Sequence, residues 1–157
     1  MEISINELAA LLKGSGALLG LDVSQNVIGL ALSDAGQSIA SPFHTIKRRK
    51  FLQDVEELKK IIASREIKGL VIGLPLNMNC TEGPRAQSVR SFARNLLKEI
   101  DLPLIFQDER LSTFEAEEMM AEAGLSKARH ADKVDAHAAA IILQDALDRM
   151  RQFADKS

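Results

Sequence analysis

Three carboxylates occupy positions whose surroundings call for an explanation. Asp22 lies inside the apolar run "LLGLDV" of residues 18–23. Glu109 belongs to "DERLST", which follows the apolar "LPLIFQ". Asp135 stands in "KVDAHAAAIIL", where a strongly apolar helix begins. Clustered carboxylates are how proteins hold Mg²⁺ or Mn²⁺, with several waters kept on the ion. Two such ions, ~3.5–4 Å apart, activate a water and stabilise the leaving oxygen of a phosphodiester. A cation would also offset the cost of a bare charge on a buried strand. Each acid has a plainer alternative. Asp22 could hydrogen-bond the turn at Ser24 and Asn26 or pair with Arg110. Glu109 could form a surface ion pair, and Asp135 could favour a helix N-terminus. Taken singly each is weak; the set carries the reading. His44, His130 and His137 are not spaced as a metal site, and Cys80 has no His–Asp pattern near it.

The elements that must position these acids follow from the periodicity. Residues 17–23 and 27–33 are Leu-, Val- and Ile-rich, and "SQN" between them is turn chemistry. Asp34 closes the second run as a turn residue. Residues 38–47 form a third strand, pushed to an edge by Pro42. In "KRRKFLQDVEELKKIIASR" the spacing turns helical, with Leu52, Val55, Leu58, Ile61 and Ile62 on one face. "IKGLVIGLPL" reads as a buried strand. Pro84 opens a helix with Val89, Phe92, Ala93, Leu96 and Leu97 inward and Arg90, Arg94 and Lys98 opposite. "LPLIFQ" is a further strand. Ser112 and Glu115 open another helix, "AGLSKARHA" is a loop, and a last helix runs from Asp132 to about Phe153. In front, Ser4 and Glu7 cap a short helix with Leu8, Leu11 and Leu12 on its stripe, ended by Gly14 and Gly16. This order predicts an α/β fold: a mixed five-stranded sheet, antiparallel over its first three strands and then built of βα units, with helices on both faces. Ligands in such sheets sit beyond the carboxyl ends of parallel strands.

The chain has 157 residues, 46% apolar and 27% charged, with a net charge of −2. That suits one globular domain and supplies no bulk basic field, so contact with nucleic acid must come from local clusters. Arg85, Lys127, Arg129 and Lys133 fall in segments beside the acids and suit a polyanion, as does Arg110. "KRRK", residues 47–50, is either a solvated helix start or a phosphate contact. With no Trp or Tyr, base stacking on aromatic rings has little support. One cysteine excludes an internal disulfide and fits a reducing, cytoplasmic setting. No apolar run reaches membrane-span length.

Four motifs, "GLDVSQNVIGLALSD", "VIGLPLNMNCTEGPRAQSVRSFARNL", "DERLSTFEAEEMMAEAGLS" and "KVDAHAAAIILQ", resemble in order the YqgF family of Holliday-junction-resolvase-like nucleases, implicated in maturing the 5′ end of pre-16S ribosomal RNA. The resemblance spans roughly residues 17–148. It implies an RNase H-like nuclease domain over 17–153, preceded by a helical extension over 1–16. It implies metal-dependent phosphodiester hydrolysis with one or two Mg²⁺ or Mn²⁺ ions. The family's acids fall on Asp22, Glu109 and Asp135. The expected partner is structured RNA, pre-16S rRNA or a pre-ribosomal particle, with branched DNA as the alternative and a monomer or homodimer as the working unit. A Holliday junction resolvase and a non-catalytic RNA-binding assembly factor are the competing functions. The chain departs from the family pattern in the first turn. Ser24 stands where the family has Gly, Asn26 where it has a basic residue, and Cys80 where Gly is frequent.

Overall fold

Apolar residues at every second position bury alternately on the two faces of a sheet, and this chain uses both. The computed structural model describes residues 1–75, 82–108 and 127–155, with 127–134 and 153–155 described by their backbone alone. Its elements are α1 (Ile5–Leu12), β1 (Ala17–Val23), β2 (Val27–Ser33), β3 (Ala40–Lys47), α2 (Phe51–Ser64), β4 (Ile67–Leu74), α3 (Pro84–Glu99), β5 (Leu104–Asp108) and α4 (Lys127–Asp155). The strands form one sheet in the order β3-β2-β1-β4-β5. β1–β2 and β2–β3 pair antiparallel; β1–β4 and β4–β5 pair parallel. The expected mixed sheet is therefore present.

Two apolar layers cover it. Leu19, Leu21, Val23, Ile28, Leu30, Leu70 and Ile72 face α2 and α3. Leu18, Ala31, Val71 and Ile105 face α1 and α4. Such two-sided burial is why β4 is a continuous apolar run.

Several local readings need correction. β3 begins at Ala40, not at residue 38. The Asp34 carboxylate accepts the Ser38 and Ile39 N–H groups at 2.8 and 3.0 Å and holds both residues in the loop. Leu52 is exposed, and Asp54 is buried in its stead. The Asp54 carboxylate accepts the Arg49 N–H at 3.3 Å, so it secures the chain entering a helix whose N-cap, Lys50, offers no side-chain bond. Leu11 is likewise exposed, whereas Leu8 is fully buried. Arg90 is not merely on the outer side of α3, because its guanidinium lies over the Phe106 ring. α4 starts at Lys127, inside the stretch expected to be a loop. "KARHADK" holds good helix formers and neither Gly nor Pro. Asp135 thus sits in the third turn of α4, and the helix-terminus reading of it loses its basis. The capping pair Ser112 and Glu115 lies outside the described residues.

The start of the chain joins the outer edge of β5. The Ile3 N–H donates to the Leu104 carbonyl at 2.9 Å and the Leu104 N–H to the Met1 carbonyl at 2.8 Å. α1 carries the expected capping box between Ser4 and Glu7. No helix among the described residues is long and apolar enough to cross a membrane.

Glycine decides how near α4 can come. A Cβ on Gly20 would lie 2.9 Å from the Leu143 Cβ and 3.1 Å from the Ala139 carbonyl oxygen. A Cβ on Gly29 would collide with the Asp135 carbonyl and sit 3.1 Å from the Ala136 nitrogen. The obstacles at Gly29 are backbone and cannot swing aside. Gly29→Ala should therefore cost about 1–3 kcal/mol or more, as overpacking of a tight interior does; chemical denaturation measures it, and an unchanged midpoint would refute the close approach.

The Asp34 bonds have a pH consequence. Acceptance from Ile39 and Ser38 N–H groups holds this carboxyl below its ordinary value. A depressed folded-state pKa gives stability that is present above the unfolded value and lost as pH falls through the folded one. Carboxyl NMR should find Asp34 titrating below an ordinary aspartate, and Asp34→Asn should remove that part of the acid limb.

Candidate active site

Strand alternation puts Asp22 on the face of Leu18 and Gly20, beneath α4. It is 8% exposed, one of few charged groups buried in the sheet. Its register partner on β2 is Gly29, and Gly29 pairs in turn with Thr45 on β3. The Asp135 backbone rests directly on Gly29. Asp22 and Asp135 are therefore neighbours across one strand position, brought there by β1 and by the third turn of α4. Burial on one side and a half-buried position on the other leave the pair at the rim of the core.

Glu109 and Arg110 lie outside the described residues. The residue before them, Asp108, ends β5 and pairs with Leu74 at the carboxyl end of β4. Gln107 accepts a 3.1 Å bond from the Arg149 guanidinium, tying the end of β5 to α4. Among the described residues, no three metal-ligating side chains converge. Asp22 and Asp135 supply two hard oxygen donors, the kind Mg²⁺ and Mn²⁺ take. A third carboxylate or additional waters would complete such a shell.

The basic residues divide. Lys127, Arg129 and Lys133 precede Asp135 on the same helix, in the part described by backbone alone. Arg85 is the exposed second residue of α3 and lines a groove of about 370 Å³ with Ser24, Gln25, Arg48 and Ser88. On the other side of the acids a hollow of about 430 Å³ runs between β3 and α4, lined by Phe43, His44, Thr45, Lys47 and His137. His137 is half-buried at this rim, in keeping with a structural histidine, and Cys80 lies outside the described residues.

The Ser24 turn closes without glycine. The Ser24 N–H and hydroxyl both donate to the Val27 carbonyl at 2.9 Å. The Val27 N–H donates back to the hydroxyl at 3.3 Å. Among described non-glycine residues, positive φ occurs at Lys13, Gln37 and Glu66, so Ser24 carries no left-handed strain.

One residue that brings the acids together escaped the sequence reading: Gly29, whose signal was a glycine inside an apolar strand, the mark of close backbone approach. The two readings of "KRRK" did not tell Arg48 apart from its three basic neighbours.

Comparison with known proteins identifies the family and agrees with the fold. A family model described as "RuvX: Holliday junction resolvase" matches residues 16–149. A protein of Rhodobacter capsulatus named "Putative pre-16S rRNA nuclease" is 53% identical over 146 residues, 93% of this chain and 92% of its own. One of Ruegeria with the same name is 50% identical, covering 96% of both chains. The solved structure of Thermus thermophilus RuvC with a Holliday junction substrate aligns with a TM-score of 0.54 at 15% identity, over 87% of this chain and 96% of the other. At that identity the likeness speaks for the fold, which is RNase H-like. A family match over most of the length, with relatives near half identical, places the chain in the RuvX family, the YqgF family to which its four motifs point.

Proposed function

We propose that this chain is a metal-dependent endonuclease that processes the 5′ end of pre-16S rRNA in the cytoplasm. The observation that carries the proposal is the meeting of Asp22 and Asp135 at Gly29. Curated relatives near 50% identical over more than nine-tenths of the chain carry the pre-16S rRNA nuclease name, which supports RNA as substrate. Residues 17–153 make up the nuclease domain, with 1–16 a helical extension packed on it.

The chemistry is phosphodiester hydrolysis. Water attacks phosphorus in line, the P–O3′ bond breaks, and the product ends are a 5′ phosphate and a 3′ hydroxyl. Asp22, Glu109 and Asp135 would hold one or two Mg²⁺ or Mn²⁺ ions, which lower the pKa of water and neutralise charge developing on the leaving oxygen. The chain's own part is placement. Asp22 is placed by the strand pairing on both sides of β1, and Asp135 by a helix whose backbone rests on Gly29. Rigid supports of this kind keep donors within the small tolerance that catalysis allows. Arg85, Arg110, Lys127, Arg129 and Lys133 would orient the phosphate backbone, a task of position more than of sequence readout.

The RuvX description and the RuvC fold make a four-way DNA junction the second substrate to test. The experiment is cleavage of a 5′-extended 16S precursor RNA and of a four-way junction, each with Mn²⁺, Mg²⁺ or EDTA. Metal-dependent cutting of the RNA is expected, with kcat/KM falling at least ~10²-fold in Asp22→Asn while the melting curve stays cooperative. Cutting of the junction alone would move the function to recombination. Full activity of Asp22→Asn would overturn the site, and failure to cut either substrate would favour a binding role in ribosome assembly.

A further inference from the structure

The four cations of "KRRK" take four different places. Lys47 lines the hollow between β3 and α4. Arg49 lies 3.2 Å from the Glu57 carboxylate and 3.8 Å from Asp54. Lys50 is the N-cap residue of α2. Arg48 turns back across the β1–β2 turn, and one of its terminal nitrogens donates to the Ser24 carbonyl at 2.8 Å. Its own N–H donates to the Asn26 carbonyl at 2.8 Å. Its guanidinium lies over the Phe92 ring, 5.2 Å from the centroid. Phe92 is itself held edge-on by Phe51.

Main chain, side chain and ring thus fix Arg48 from three sides. Neither a carbonyl nor a ring face neutralises a charge, so the guanidinium stays a full cation. It has five N–H donors, and the Ser24 bond engages one of its nitrogens. The turn it crosses, Ser24–Asn26, has no charged residue of its own. In the groove that Arg48 shares with Arg85, Ser24, Gln25 and Ser88, none of the lining residues among the described ones is acidic. Arg90 contrasts with Arg48, being held by Glu82 at 2.6 Å and by Glu2 at 3.7 Å. The Arg48 and Arg85 guanidiniums, the Ser88 hydroxyl and the Gln25 amide supply N–H and O–H donors of the kind a phosphate takes. Val23 also lines the groove, so it starts one residue from Asp22, around the carboxyl end of β1.

We infer that this groove is a backbone-phosphate subsite, with Arg48 its fixed cation, holding the nucleic-acid strand where it passes the end of β1 beside the acid pair. The inference rests on the nucleic-acid function proposed above and assigns a part of that site that lies off the acids.

Binding and cutting separate the two. A fluorescently labelled 5′-extended 16S precursor RNA is titrated with the full chain in EDTA across a salt series. Arg48→Ala is expected to bind about tenfold more weakly at low salt, the size of one charged hydrogen-bonded contact. The slope of log affinity against log salt should fall by about 0.7, one phosphate contact on a single strand. Arg48→Lys keeps the charge and should keep the slope, recovering part of the affinity. Lys98→Ala removes a cation from the last turn of α3, ~20 Å from Arg85 by helical rise, and should leave the slope unchanged. An Arg48→Ala slope equal to wild type overturns the subsite while the nuclease reading stands. So does an Arg48→Lys slope as low as that of Ala, because Arg48 would then only brace the turn. Wild-type protein that binds no RNA at any salt overturns both.

Discussion

The distance between α4 and the sheet governs this molecule. A helix normally stands off a sheet by the thickness of two layers of side chains. Here the layer on β1 and β2 is removed where it matters, at Gly20 and Gly29, and the facing helix is built from Ala138, Ala139, Ala140 and Ala146. Backbone then meets backbone. That nearness is what lets a carboxylate on a central strand and one on a helix share a location.

The charges are sorted with equal economy. Asp54, although buried, holds the chain where it enters α2, and Asp34 holds the loop into β3. Glu82 and Glu2 take up Arg90, and the pairing with Arg90 keeps the Glu82 carboxyl below its ordinary value. Exposed pairs like these add little stability. Their effect is on the electrostatic map: away from the β1–β2 turn, several cations are cancelled. A chain with net charge −2 can in this way keep a local positive groove at the end of the strand that carries Asp22.

Much of this was legible in the residues. Strand and helix order followed from periods of two and of 3.6, and the sheet's mixed character from the sequence of elements. Asp22 stood out because a carboxylate interrupts an apolar strand. What stayed hidden was set by tertiary contact. Leu52 and Asp54 lie on opposite sides of the helix, and the bond from the Arg49 N–H accompanies burial of Asp54 rather than Leu52. The start of α4 was misread because "KARHADK" is polar without being a breaker. Arg48 could not be told from its three basic neighbours, since its role depends on a turn more than twenty positions earlier and on Phe92. Glu109, expected as the third acid from its sequence motif, lies outside the described residues.

One feature of the topology bears on when the acids become a pair. α4 follows every described strand, so a polypeptide extending only as far as β5 carries Asp22 without Asp135. Its sheet would also lose the α4 part of the cover on one face, leaving α1 alone over a layer that includes Ala31, Val71 and Ile105. Such a partial chain is sticky and chemically incomplete at once. The native fold acts here as an interlock: the pairing exists only when the helix that shields the sheet is in place, so loss of structure and loss of the acid pair are the same event.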